Sequence, residues 1–346
     1  MIFALEYQFI LKMKKYIFLI LSLFTMYSFS QEGNNKANAK GQPHFKVFWN
    51  YHYDYSEDIQ QVSAFELTRV YLGYKYKFDE KFSAKITYDI GKNDAGSNHT
   101  AFVKIAQLDY KIDSNVKISM GLIGGKQYKD QENHWGYRYI YKMLQDEHKF
   151  GPSADLGINA EFKISKTLMA NLFVVNGEGH KNLQDDDGNQ RFGMNLIYNP
   201  SKKLTAKFYY DTHPSENSKS LNNIAFFAGY KADTWRIGAE YNKMENGTNY
   251  QTAIDHHNLN GLSFYGSYIL NNKIEIFARF DEISSNILTG QDNSWNHNKD
   301  GALMIFGVEY RASKRVKFSI NTRNFNYIND DIEDSSLIYF NTEFKL

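Results

Sequence analysis

The sequence predicts an all-β fold, a transmembrane antiparallel β-barrel of about sixteen strands with a long third loop folded inward. Three observations carry this. Apolar and polar residues alternate with period two, connections alternate between short and long, and charges share one strand face whose other face is apolar. In Phe82–Ile90, for instance, Phe82, Ala84, Ile86, Tyr88 and Ile90 face one way, and Ser83, Lys85, Thr87 and Asp89 the other.

The N-terminus reads as a secretory signal over residues 1–30. Lys12, Lys14 and Lys15 precede an apolar run from Tyr16 to Met26, and Ser28-Phe29-Ser30 before Gln31 suits cleavage. The run is short for a membrane span; the alternative is an N-terminal anchor helix. Met13, directly before Lys14-Lys15, reads as a better start than Met1. Residues 31–43 are polar and are expected as a flexible periplasmic leader, with 44–346 forming the barrel.

Turn residues divide the rest into strands expected at 44–54, 64–78, 82–92, 100–112, 116–125, 153–164, 168–176, 190–199, 204–213, 222–231, 235–244, 259–270, 274–283, 301–311, 316–327 and 335–346. Seven short connections, such as Asp79-Glu80-Lys81 and Asn271-Asn272-Lys273, alternate with eight long ones. Sixteen antiparallel strands with both termini on one side require those counts, with short turns expected on the periplasmic side. Tyr74, Tyr76, Phe78, Tyr110, Tyr198, Tyr230, Tyr268 and Tyr310 precede short turns and Trp235 follows one, the placement of an aromatic girdle.

Composition fits. The 346 residues include 26 Tyr, 26 Phe and no Cys, and the net charge of +1 gives no case for nucleic acid. Without Cys, disulfides and thiolate chemistry are excluded. The mean hydropathy of −0.56 resembles that of a soluble protein, but in a barrel only alternate residues meet lipid. Sixteen strands leave an aqueous lumen, which points to a passive diffusion pore in the outer membrane. The segment 126–152 is the longest connection. Its Trp135, Tyr137, Arg138, Tyr139 and Lys142 are expected to narrow the lumen, with a short helix over 140–148; the alternative is an outward cap or an oligomer contact.

The stretches Phe65–Tyr74, 82–92, Trp135-Gly136-Tyr137-Arg138 and Phe150–Gly157 give the chain a pattern that resembles the phosphate-selective porin O and P family. The resemblance implies a sixteen-stranded porin, often trimeric, with an inward third loop and a basic constriction. Two features depart from that pattern. Inward cations only modestly outnumber inward acids, and the chain ends in Leu346 where porins commonly place the Phe read by the barrel-assembly machinery. Expected partners are that machinery, outer-membrane lipid and lipopolysaccharide, and two further copies of the chain.

The expected selectivity residues are Arg138 on the loop and Arg69, Lys85, Arg191, Arg236 and Arg279 on the wall, since cationic rings favour anions. The alternative for each is a wall residue paired with a neighbouring acid, which would cancel its influence. No cofactor, metal or catalytic site is expected. Asp185-Asp186-Asp187-Gly188-Asn189 lacks the spacing and closing Glu of a calcium loop. The adjacent His256-His257 would face opposite ways on a strand, which argues against a metal site, and Asp255-His256-His257 on loop 245–258 is a weak hydrolase candidate. A loop-blocked barrel serving as an adhesin is the third reading.

Overall fold

The computed structural model describes residues 40–56, 62–92, 99–184 and 186–346. The expected signal segment, and the leader up to residue 39, lie outside them. Sixteen strands close into one antiparallel barrel. They are β1 (Lys40–Asp54), β2 (Ser63–Lys77), β3 (Phe82–Gly91), β4 (Thr100–Lys111), β5 (Val116–Gly124), β6 (Ala154–Lys163), β7 (Leu168–Val175), β8 (Arg191–Tyr198), β9 (Leu204–His213), β10 (Leu221–Lys231), β11 (Trp235–Glu245), β14 (Leu259–Ile269), β15 (Ile274–Ser285), β16 (Gly301–Arg311), β17 (Val316–Tyr327) and β18 (Ser335–Lys345). Each pairs with its neighbours in sequence, and β1 closes the ring on β18, from Lys46↔Lys345 to Asp54↔Leu337. Closure leaves no strand edge in lipid, where unpaired backbone groups cost several kcal/mol each. The long connection after β11 carries a small hairpin that the periodicity does not signal, β12 (Gly247–Asn249) with β13 (Thr252–Ala253).

The sixteen expected spans correspond one to one with the barrel strands. The largest correction is at β1. Residues 40–43, expected in the leader, pair with Lys77 through Tyr74. Their Gly, Gln and Pro look like a linker, but the extended Tyr74–Lys77 segment beside them supplies hydrogen-bonding partners that composition cannot reveal.

One device recurs at the short turns. A side-chain oxygen at the turn's start accepts the N–H groups two and three residues on. Asp79 takes Lys81 and Phe82, both at 2.7 Å, and Asn271 takes Lys273 at 2.9 Å and Ile274 at 3.0 Å. Asp113, Ser165, Ser201 and Ser313 do the same. These Asx and Ser turns satisfy the donors of the incoming strand and fix register.

The two faces separate as alternation requires. On β16, Met304, Phe306, Val308 and Tyr310 are exposed outward, and Leu303, Ile305, Gly307 and Glu309 are buried inward. The outer wall exposes Phe226, Ile237, Phe264 and Ile320 about half or more of their surface. A water-soluble surface rarely carries so broad an apolar belt, whereas a bilayer requires one. At the short-turn rim Tyr74, Tyr198, Tyr268, Tyr310 and Trp235 are exposed, and Tyr230 stacks on Trp235 at 5.1 Å. Alternation breaks at a bulge in β4. Thr87 pairs with Ile105 and Tyr88 with Val103, so the intervening Lys104 turns inward beside Ile105.

Candidate functional site

The third long connection, 125–153, folds into the barrel. Its base is pinched where Gly125 N donates to Ser153 O at 2.9 Å. It holds two helices, α1 (Lys129–Trp135) and α2 (Leu144–Glu147). The helix expected over 140–148 is thus confined to α2, and α1 is additional. The α1 sequence KDQENHW is rich in residues compatible with a helix, and its buried Gln131 and Trp135 stand four apart on one face. Gly136 ends α1 in the left-handed region (φ 77°) and donates to Glu132 O. A Cβ there would also lie 3.0 Å from the Arg236 guanidinium.

The loop docks against the wall formed by β9–β18 and β1. Trp135 and Tyr137 are fully buried and pack on Tyr265 and Phe277, with ring centroids 5.4 Å (Trp135–Tyr265) and 4.4 Å (Tyr137–Phe277) apart. Phe48, Leu303 and Ile305 complete this cluster. The wall is cut back to receive the loop. A Cβ on Gly261 would lie 2.4 Å from Leu144, and one on Gly229 would lie 2.7 Å from His134.

Polar clamps reinforce the packing. Lys207 donates to Lys126 O (2.7 Å), Gln127 O (2.8 Å) and the Asp130 carboxylate (2.8 Å). Tyr139 donates to Glu309 at 3.0 Å. Toward β6–β11 the interface is made of amides. Gln127, Asn159, Asn195 and Asn242 are buried with both side-chain polar atoms lacking a protein partner, the situation that ordered water resolves.

The expected selectivity residues fall into two groups. Arg191, Arg236 and Arg279 are held by acids. Arg191 pairs with Asp211 at 2.9 Å and also donates to Tyr250 O. Arg236 pairs with Glu275 at 3.1 Å and lies over the Tyr137 ring at 4.8 Å. Arg279 pairs with Asp281 at 2.6 Å, donates to Lys142 O at 2.8 Å and faces Trp135 at 5.3 Å. Arg236 and Arg279 thus anchor the inward loop with compensated charge, and Arg191, through Tyr250 O, anchors the connection after β11.

Arg69 and Arg138 are also paired with acids but differ in bordering open space, and Lys85 makes no ion pair among the described residues. Arg69 (β2) and Arg138 (loop) both line a cavity of about 740 Å³ on the long-loop side and an adjoining one of about 200 Å³. Arg69 pairs with Asp89 at 2.9 Å, and Lys104 joins the same carboxylate at 3.3 Å. Arg138 bridges Glu132 (3.3 Å) and Asp146 (3.2 Å). Lys85 is half-buried on the inner face of β3, beside Lys75. Of the expected constriction residues, Tyr139 and Lys142 line the larger cavity, and Trp135 and Tyr137 are packed beneath the loop.

Burial would raise the Asp146 carboxyl, but the Arg138 guanidinium together with Lys142, Lys104 and Arg69 outweighs it and holds the group below its usual value. Burial lowers His148 and His134, although the Ile237 carbonyl, 2.7 Å from His134 Nε2, partly offsets the latter.

Sequence reasoning missed Lys104, Arg323 and Tyr339. Lys104 was hidden by the bulge, which breaks period two. Arg323 and Tyr339 sit at inward positions of β17 and β18 and line the 740 Å³ cavity, a signal alternation alone would have given. Of the weaker candidates, Asp185 lies outside the described residues. Asp255 accepts the Lys219 N–H, and His257 packs on Trp295.

No protein-family model matches the sequence, and no curated protein does. Solved structures match the fold. The outer-membrane channel DcaP of Acinetobacter baumannii aligns with TM-score 0.67 and 11% identity over 92% of this chain and 100% of that one. Salmonella typhi OmpF, solved with daunomycin, gives 0.67 and 11% over 89% and 98%. The anion-selective porin from Comamonas acidovorans gives 0.63 and 10% over 89% and 100%. At such identities the likeness is one of architecture, and the chain has the closed sixteen-strand barrel fold of these outer-membrane channels.

Proposed function

We propose that this chain is a non-enzymatic outer-membrane porin, a passive channel for small hydrophilic solutes that favours anions, phosphate among them. The observation that carries the reading is a barrel apolar outside and charged inside, with an inward loop packed against one wall. The opposite wall presents Arg69 and Lys104 to the cavity they share with Arg138 of the loop, with Lys85 on the inner face of the neighbouring β3. A cation facing lipid at mid-membrane costs about 2–4 kcal/mol, so these side chains belong to a wet interior. Arg236 and Arg279 serve to seat the inward loop and Arg191 the connection after β11, leaving Arg69, Lys85, Lys104 and Arg138 to bias permeation. The printed names of DcaP and of the Comamonas porin, a channel and an anion-selective porin, are consistent with it.

The test is single-channel recording of the purified chain in a planar bilayer under a KCl gradient. A steady conductance with an anion-side reversal potential, shifted toward cations by Arg138→Glu, is expected. A folded, heat-modifiable barrel with no conductance refutes the porin reading and leaves the loop-blocked barrel.

A further inference from the structure

Arg323 on β17 is the exception among the arginines of the lumen. Arg69, Arg138, Arg191, Arg236, Arg279 and Arg311 each pair with a carboxylate at 3.3 Å or closer. Arg323 makes no ion pair among the described residues, although it is only 7% exposed. Two aromatic rings lie close to its guanidinium. The guanidinium carbon lies 3.4 Å from the Tyr339 centroid and 5.5 Å from that of Tyr141 on the inward loop. Nε donates to Asn321 at 3.2 Å and Nη2 to Asn341 at 3.3 Å. Nη1 has no hydrogen-bond partner among the described residues, and the side chain borders the 740 Å³ cavity.

The cavity cannot supply the missing anion from its own acids. Glu66 and Glu147 line it, and each already has a cation, Lys92 at 3.7 Å and Lys142 at 3.2 Å. The lining also presents an apolar and aromatic surface, Phe48, Tyr139, Ile140, Tyr141 and Tyr339, together with Asn50 and the cations Arg69, Arg138 and Lys142. With the Tyr339 ring against it, the guanidinium is left to offer its in-plane N–H groups, which suit a carboxylate edge. The aromatic surface beside it suits a flat apolar body.

We propose that this cavity, on the long-loop side of the constriction, is a saturable binding site for an organic carboxylate with a planar apolar body, anchored by Arg323. As a step in uptake the site rests on the pore reading; as a binding site it stands independently of it. Solutes would be selected here among cations that include Arg69 and Arg138, which border the same cavity.

Calorimetric titration of the full chain, folded in detergent, with benzoate, acetate and inorganic phosphate tests this directly. Benzoate is expected to bind at one site, with acetate and phosphate at least about three- to ten-fold weaker for want of the stacked ring. Arg323→Gln should weaken benzoate by about ten-fold or more, the scale of one hydrogen bond to a charged group. Should that variant fail to fold by heat-modifiability, Tyr141→Leu on the loop and Arg323→Lys on the strand take its place. The first should erase the preference for benzoate over acetate, and the second should weaken benzoate through loss of the planar fork. Phosphate or acetate binding as tightly as benzoate, or benzoate indifferent to these substitutions, overturns the proposal. Bilayer recording separates the two readings. Benzoate binding without conductance sinks the pore and keeps the site, and conductance without a benzoate preference keeps the pore and sinks the site.

Discussion

Replacing Trp135 with alanine is expected to release the inward loop while leaving the barrel closed. Trp135 is fully buried, edge-on to Tyr137 at 4.9 Å, Tyr265 at 5.4 Å and Phe277 at 5.9 Å, with the Arg279 guanidinium 5.3 Å from its ring. Its indole N–H donates to Tyr141 O at 3.3 Å, inside the same loop. Truncating a buried Trp costs about 3–5 kcal/mol. None of that falls on the interstrand ladder, because Trp135 belongs to the loop. The cost is therefore charged to docking and shifts the docked-to-free ratio by about two to four powers of ten. Trypsin reads this directly. Arg138 and Lys142 are held by Glu132, Asp146 and Glu147 in the docked loop, and cleavage after them should appear in the variant only. Single-channel conductance should rise and flicker in parallel, and heat-modifiability should be unchanged. Trp135→Phe, which keeps a ring in the seat, should behave nearly as the parent. A Trp135→Ala loop as resistant to trypsin as the parent, with unchanged conductance, would refute the reasoning and assign docking to the polar clamps alone.

Other expectations follow from the same geometry. Gly261→Val puts a Cβ 2.4 Å from Leu144 Cδ2, and such overpacking costs about 1–3 kcal/mol, so it should mimic Trp135→Ala in the trypsin assay more weakly. Lys207→Met removes the donor to two loop carbonyls and to Asp130; trypsin sensitivity should rise at the Lys126–Lys129 end before it rises at Lys142. The loop should also loosen in mild acid. Burial holds His148 below 6.5, among Glu147, Asp281, Arg279 and Lys142, and His134 below 6.5 beside Arg236. Above pH 6.5 both states are neutral and docking is at full strength. As pH falls through 6.5 the free loop binds protons first, so docking weakens progressively down to the depressed docked values. His148→Gln with His134→Gln should flatten that dependence of channel flicker; an unchanged pH profile would count against it. Asp146, also depressed, adds a further loss only below 3.8.

The strands were legible because each obeys one local rule. Period two, a turn residue with a side-chain acceptor and a charged inner face are all properties of neighbours in sequence, so the barrel strands after β1 fall where alternation places them, and only the hairpin β12–β13 escapes it. What local rules could not give is pairing across the lumen. Whether Arg279 is a selectivity charge or an anchor depends on Asp281 two residues away and on a loop carbonyl 137 positions back, and only the second contact reveals the role. The inward glycines Gly229 and Gly261 carried a usable signal. A strand interior has little reason to accept Gly unless another backbone or side chain approaches, and here His134 and Leu144 do.

Arg323 extends that argument to function. In a lumen with nearly balanced charge, counting cations says little about selectivity, because most are cancelled by a carboxylate within hydrogen-bond reach. The informative charge is the one whose neighbours are amides and rings in place of acids. By that criterion Arg236 and Arg279 belong to the architecture of the inward loop and Arg191 to that of the connection after β11, while Arg69 and Arg138 keep only what Asp89, Glu132 and Asp146 leave uncancelled. Arg323, held by Asn321, Asn341, Tyr339 and Tyr141, retains an attraction that a solute can answer.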